Sequence, residues 1–462
     1  MDRAFSVARA WANVSPTHRS MALRAVADGL DTARDSLVAI ATRESGLGTQ
    51  RLEGEVGRTS GQLRLFAGVL DAGTWRDIVV DRARDDEPAR PELVRFQQAM
   101  GPALVFAASN FPFAFSVLGG DSASALAAGC PVVLKVHPGH PETSRKTAEV
   151  AHEALESVGG PTEVLGLIEG EFEGVAALQD PRVTVAAFTG SLRGGRALAK
   201  IAADRPAPIP FYGELGSINP VFVTPGAASA RGEGIAQGYV ESFTLGVGQF
   251  CTKPGLLFIP SGSGIAEDAA LRVTEAAGGR MLTERVHSGH VDGRSALLDV
   301  DGVEELAVSA VEDEAALVAR PALLRVGIAK FLQHAAELTE ECFGPTSIVV
   351  EYDDTEGLLA AVGAIDGSLT GTVHAEPDEV DLGGALVELV RARVGRLVWN
   401  GWPTGVAVSP AMQHGGPYPS TTHSQSTSVG TAAIERFCRP VAFQGVPAAL
   451  LPADVRVALD AR

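Results

Sequence analysis

Ala103-Leu104-Val105-Phe106-Ala107-Ala108 is an unbroken apolar run, closed by Ser109-Asn110-Phe111-Pro112. A strand with one wet face alternates apolar and polar residues. A strand apolar at every position has both faces covered. Pro131-Val132-Val133-Leu134-Lys135-Val136 and Thr184-Val185-Ala186-Ala187-Phe188-Thr189 repeat the pattern. Helical segments near 120–128, 143–157 and 193–203 separate these runs. The alternation predicts an α/β protein with a doubly covered parallel sheet. A second set begins at 216, with strands at Pro220-Val221-Phe222-Val223, Gly255-Leu256-Leu257-Phe258-Ile259 and Ser347-Ile348-Val349-Val350. Working back to the start, residues 3–75 are predicted helical, because Leu23, Val26, Ala27 and Leu30 recur at three- and four-residue steps. Residues 76–100 are rich in Arg, Asp, Glu and Pro and predict an exposed hairpin or arm. The chain has no short internal repeat and no low-complexity tract.

At 462 residues the chain exceeds what one hydrophobic core usually supports, so two or more domains are expected. The formal charge of −18 and the absence of a basic stripe argue against nucleic acid and anionic membrane as partners. Cys130, Cys251, Cys342 and Cys438 are widely spaced, which favours reduced thiols and a cytoplasmic home. The ten histidines show no metal-ligand spacing, so no metal site is expected. No apolar run has the length of a membrane helix, and Met1-Asp2-Arg3-Ala4-Phe5 lacks the pattern of a secretory signal.

Chemistry concentrates in glycine-flanked turns. Cys251 lies in Gly248-Gln249-Phe250-Cys251-Thr252-Lys253-Pro254-Gly255, and Glu214 in Phe211-Tyr212-Gly213-Glu214-Leu215-Gly216. A thiol and a carboxylate held this way are the parts needed to form a thioester and hydrolyse it. Asn110, just past a strand end, either caps a turn or donates to a developing oxyanion. Lys135 closes the next strand and either reaches solvent or grips a nucleotide. His137, His140, Ser144 and Arg145 lie around it. Pro138 stands where an acid would hold a ribose 2′-hydroxyl, which favours NADP, with NAD as the alternative. Gly190, Ser191 and Arg193 form a strand-to-helix turn that a phosphate can approach, although it departs from the G-x-G-x-x-G pattern. Glu341 and Phe343 flank the turn Glu341-Cys342-Phe343-Gly344-Pro345. There Glu341 offers a ribose contact and Phe343 a ring beside a nicotinamide, and Cys342 reads as packing. His414, in Gln413-His414-Gly415-Gly416-Pro417, is either a structural partner or a group that holds or deprotonates the thiol.

Together these segments resemble the aldehyde dehydrogenase superfamily over nearly the whole chain. SNFPFAFS, GCPVVLKVHPGHPETS, FTGSLRGGRAL, FYGELGSINPVFV, GVGQFCTKPG, ECFGP and NGWPTGVAVS occur in the family's order. GGDSASALAAGCPVV, AMQHGGPYPSTT and STSVGTAAIERFCRPVAFQ carry a narrower likeness to the α-ketoglutaric semialdehyde (2,5-dioxopentanoate) dehydrogenase group. The resemblance implies two doubly wound parallel-sheet domains and a small β oligomerisation arm. Residues 1–215 would bind cofactor, with 76–100 in the arm. Residues 216–408 would carry the catalytic cysteine. Residues 409–462 would return to the cofactor domain and complete the oligomerisation segment. It also implies a homodimer or homotetramer, Cys251 as nucleophile, Glu214 as base, Asn110 as oxyanion donor and His414 near the thiol. Lys135, Glu341 and Phe343 are implied to contact the cofactor.

The chain also departs from the pattern. It begins almost at the family's first helix, and the region between Ile259 and Glu341 is short. Gln425 stands where the semialdehyde group commonly carries an arginine. The expected reaction is NADP-dependent oxidation of an aldehyde to a carboxylic acid through a cysteine thioester, with α-ketoglutaric semialdehyde going to 2-oxoglutarate. The alternatives are a medium- or long-chain aldehyde substrate, or a non-catalytic member of the family.

Overall fold

The computed structural model describes residues 1–311 and 316–460. Four helices open the chain: α1 (Asp2–Asn13), α2 (Pro16–Thr32), α3 (Arg34–Ser45) and α4 (Thr49–Ala72). The α1–α2 break is encoded locally. Ser15 accepts the His18 N–H as an N-cap, and Pro16 occupies the first turn, where its missing N–H costs nothing. The predicted arm follows as an antiparallel pair, β1 (Val79–Asp81) with β2 (Leu93–Ala99).

The first parallel unit comprises β3 (Ala103–Phe106), α5 (Gly120–Ala128), β4 (Val132–Lys135), α6 (Pro141–Ser157), β5 (Leu165–Ile168), α7 (Glu171–Gln179), β6 (Val185–Thr189), α8 (Leu192–Ala203) and β7 (Phe211–Glu214). Its five strands are all parallel in the order β5-β4-β3-β6-β7. Both faces are covered, and the two-residue period of a strand divides the apolar run between them. Ala103 and Val105 pack with the large helical core containing Leu30, Leu63 and Leu126. Leu104 and Phe106 pack on the opposite side with Ala177, Leu178 and Ala202. Strand order reverses beside β3, which makes the carboxyl ends of β3 and β6 the place where such sheets form their ligand crevice. β3 ends at Phe106, two residues before the apolar run does, so Ala107 and Ala108 already line the bend toward Asn110.

The second unit runs β8 (Val221–Val223), α9 (Pro225–Thr244), β9 (Leu256–Pro260), α10 (Ile265–Glu275), β10 (Gly279–Arg280), α11 (Glu284–Leu298), β11 (Glu304–Val308), β12 (Val318–Ala319), β13 (Ala322–Gly327), α12 (Ile328–Gln333), α13 (Ala335–Leu338), β14 (Thr346–Tyr352), α14 (Thr355–Ala364), β15 (Ser368–His374), α15 (Val380–Arg391) and β16 (Val394–Trp399). Seven strands form one sheet in the order β11-β13-β14-β9-β8-β15-β16. It departs from the expected all-parallel sheet at one edge, where β11 runs antiparallel to β13 with an irregular register at Glu305–Ala307. An edge strand needs cover on one side only, so the antiparallel addition leaves the parallel core intact.

β17 (Cys438–Gln444) returns to pair with β2, making a three-stranded sheet β1-β2-β17, and α16 (Ala453–Asp460) follows. Before β17, the chain passes β7, where Thr421 bridges to Glu214 and Ser420 O accepts the Leu215 N–H. That passage carries His414 and Ser428 to the end of the first sheet. No helix among the described residues is long and apolar enough to cross a membrane.

Candidate active site

Cys251 follows a turn of unusual backbone. Gly246, Val247 and Gly248 all have positive φ, and a β-branched residue such as Val247 rarely adopts it. Only glycine fits at 248. A Cβ there would lie 2.2 Å from the Gly344 carbonyl oxygen, so the thiol's turn and the 341–345 turn touch backbone to backbone. Two side chains fix the loop from below. The Asn219 amide donates to the carbonyls of Cys251 and Lys253, each at 2.9 Å. The fully buried Lys253 donates to the carbonyls of Cys342 (2.9 Å) and Thr346 (2.8 Å). Neither residue was singled out in the sequence, although Lys253 sits inside the quoted thiol motif.

Glu214, at the end of β7, comes to the thiol from the other sheet. His414 Nε2 lies 2.9 Å from Glu214 Oε1 and 3.5 Å from Cys251 Sγ. The Ser428 hydroxyl donates to Glu214 Oε2 at 2.5 Å. Glu214 and His414 are both buried. Burial works to raise the Glu214 carboxyl. His414, with hydrogen bonds from His414, Ser428 and Cys251, outweighs burial and holds it below its ordinary value. Burial and the Glu214 carboxylate push the Cys251 thiol well above its ordinary value. The resting pair is therefore a carboxylate beside a thiol, and the carboxylate is the group placed to take the proton. The two alternatives for His414 resolve toward contact with both groups. The three ligand-type atoms lie within 4.8 Å of one another, a set that has metal-binding chemistry. No ligand spacing along the chain reveals it, because the set is assembled across separations of 163 and 200 residues.

Asn110 is buried, and its amide Nδ2 donates to the Gln249 carbonyl at 3.0 Å, two residues before Cys251. An amide N has two hydrogens, so one remains for a ligand. The Asn110 carbonyl accepts from Arg51 Nη2 at 2.7 Å. Arg51 belongs to α4, a helix that the sequence reading treated only as packing.

The cofactor candidates divide. Lys135 ends β4 half-buried. Burial lowers its ammonium, partly offset by Glu171. Gly190 donates its N–H to the Glu214 carbonyl at 3.0 Å, joining this turn to the thiol site. Ser191 caps α8 by accepting the Gly194 N–H, and Arg193 is exposed in its first turn. The Thr189 hydroxyl is buried at the end of β6 without a partner. A strand-end lysine, an open glycine turn, a capped helix start and this unpaired hydroxyl suit the phosphates and ribose of a dinucleotide. His137 is different. Its Nδ1 accepts the Gly139 N–H at 3.1 Å, its ring stacks 5.5 Å from His140, and burial with these neighbours lowers it to about 3. It shapes the turn as a neutral ring and adds no charge for a phosphate. Burial raises the Glu341 carboxyl to about 7 against the pull of Lys253, and Glu341 lies against Gly216. Phe343 is half-buried in the turn after it. Cys342 is buried with its thiol toward the His290 carbonyl, as its packing assignment expects.

The family model "Aldehyde dehydrogenase family" matches residues 1–441. Among characterised relatives, α-ketoglutaric semialdehyde dehydrogenase 2 of Azospirillum brasilense is 43% identical over 447 residues, 94% of this chain and 84% of that one. α-Ketoglutaric semialdehyde dehydrogenase of Acinetobacter baylyi is 41% identical over 432 residues, 92% of this chain and 82% of the relative. Among solved structures, bifunctional proline utilization A superposes with a TM-score of 0.81 at 24% identity, a likeness of fold. The match covers 96% of this chain but only 44% of that longer one, so this chain spans less than half its length. The α/β architecture, the thiol–carboxylate–imidazole cluster and the 1–441 match converge: the chain belongs to the aldehyde dehydrogenase family, whose members oxidise aldehydes with a nicotinamide dinucleotide.

Proposed function

We propose that this enzyme oxidises α-ketoglutaric semialdehyde to 2-oxoglutarate through a thioester on Cys251. The contact set of Cys251, Glu214 and His414 carries the reading, and the names of two relatives above 40% identity support the substrate. As Cys251 Sγ bonds to the aldehyde carbon, its proton passes to Glu214. The oxygen of the resulting hemithioacetal takes the free Asn110 amide hydrogen and the Cys251 backbone N–H. One such donor contributes about 3 kcal/mol to the transition state. The nicotinamide, when bound, supplies the hydride acceptor. Glu214 releases that proton to solvent, and the restored carboxylate takes a proton from the water that attacks the thioester; the acid leaves, and the proton returns to the sulfur. His414 and Ser428 hold the carboxylate in place during both transfers.

Lys135, Gly190, Ser191, Arg193, Glu341 and Phe343 are the proposed cofactor contacts, with His137 shaping their turn. Pro138 supports NADP, and Glu171 beside Lys135 opposes a 2′-phosphate. The division at about residues 215 and 408, a homodimer or homotetramer built through the arm, and a cytoplasmic setting belong to the same proposal. A medium-chain aldehyde is the second reading, favoured by the aromatic wall of Phe111, Phe115 and Phe250. Steady-state rates with 2,5-dioxopentanoate, hexanal and decanal under NAD and NADP decide between them. A higher kcat/KM for either unsubstituted aldehyde overturns the first.

A further inference from the structure

Arg51, Glu55 and Arg58 occupy positions i, i+4 and i+7 of α4, one stripe of the helix. A charged stripe ordinarily faces water. This one faces the loop of Asn110. Glu55 is buried, and its Oε1 accepts the backbone N–H groups of Phe113 (2.8 Å) and Ala114 (3.0 Å). Arg51 Nη2 is used on the Asn110 carbonyl. Four guanidinium nitrogens remain buried without an acceptor: Nε and Nη1 of Arg51, Nε and Nη2 of Arg58. Among the described residues neither arginine forms an ion pair within 4.0 Å, Glu55 included.

The arginine planes are held by rings. Arg51 Cζ is 5.2 Å from the Phe111 centroid and 4.8 Å from that of Phe250. Arg58 Cζ is 5.9 Å from Phe111 and 5.5 Å from Phe115. Stacking uses the face of a guanidinium and leaves its N–H edge free, the edge that takes a carboxylate as a fork. The rings are those of the site. Phe250 precedes the thiol, Phe111 follows the amide, and Phe115 lies 6.5 Å from the His414 ring. Glu55 acts on both cations and Glu214 on Arg58 through space, but none stands within ion-pair distance, and desolvated N–H edges left without an acceptor are costly unless an anion is bound there.

We propose that Arg58, assisted by Arg51, binds the carboxylate of a short aldehyde acid whose aldehyde end meets Cys251. This inference rests on the proposed function and names the residues that select its substrate class.

The test compares kcat/KM for α-ketoglutaric semialdehyde and for pentanal, a neutral aldehyde of equal chain length, in wild type, Arg58→Met, Arg58→Lys and Arg51→Met. Arg58→Met should lose on the order of 100-fold toward the semialdehyde, chiefly in KM, while pentanal changes by less than about threefold. Arg58→Lys, which keeps the charge and loses the fork, should recover part of the loss and serves if the methionine variant fails to fold. Arg51→Met should lose less, because one of its donors is already committed. Equal losses for both aldehydes would mean that the guanidinium serves the thiol, and overturn the assignment. So would an unchanged ratio in every variant of an enzyme that itself prefers the semialdehyde. A wild type that does not prefer the semialdehyde over pentanal instead overturns the functional reading, a distinguishable failure.

Discussion

The thiol end of the site and the crevice at β3 and β6 are built in opposite ways. Around Cys251 the polar groups are buried and engaged with one another: Glu214 receives His414 and Ser428, Asn110 holds the Gln249 carbonyl, and Asn219 and Lys253 fasten the turn. At the crevice, Lys135 is half-buried, while Gly190, Ser191 and Arg193 are exposed. Bond making at sulfur needs donors fixed before the reaction, because reorganisation at that moment costs rate. A dinucleotide must enter and leave, and a backbone turn at a helix start accepts it with little commitment of side chains. The difference teaches that side-chain changes should act steeply at the thiol end and mildly at the crevice.

The contrast breaks most sharply at the nucleophile. Cys251→Ala should lower formation of reduced cofactor by about five orders of magnitude or more, read at the nicotinamide absorbance band. Full activity in that variant would remove the scheme. Glu214→Gln should weaken the first-turnover burst as well as the steady state, the latter by roughly a thousandfold. An undiminished burst would instead confine Glu214 to thioester hydrolysis, after hydride transfer.

His414→Gln sharpens the electrostatics. His414 helps to hold the Glu214 carboxyl below its ordinary value, so the carboxylate persists as pH falls through the acid range. Without that donor the carboxyl rises, and the acid limb of the steady-state profile should move to higher pH. A limb that stays put would show that His414 does not set it. At the crevice the smallest effect is expected. Glu171→Gln should raise kcat/KM with NADP relative to NAD by about two- to fivefold, through loss of one partly solvated charge near Lys135. A shift toward NAD would reverse the sign assigned to Glu171.

Much of the fold was legible before any coordinate. Runs such as 103–108 and 131–136 declare two-sided burial, and the helices between them fall where their periodicity puts them. The antiparallel edge strand β11 was not legible, since an edge is defined by which neighbour it lacks. At the site, Cys251 and Glu214 stood out because turns rich in glycine carry reactive groups poorly suited to packing, and Asn110 because it directly follows a buried strand. Arg51 and Arg58 did not, because charges spaced along a helix signal a solvated face unless something shows which way the helix is turned. Asn219 was hidden similarly. Its φ of 51° and its two carbonyl contacts exist only once β8 lies beside the thiol turn.

The sequence by itself determined the local facts: where strands and helices start, which turns demand glycine, and which few side chains offer a thiol, a carboxylate or an amide for chemistry. These follow from backbone sterics and hydrophobic periodicity over short spans. Only the tertiary structure decided that residues 110, 214, 251 and 414 meet, that His414 touches both thiol and carboxylate, and that two arginines face inward. Those outcomes depend on the packing of sheets and helices distant in sequence, where burial sets the charge of each group and the identity of its neighbours.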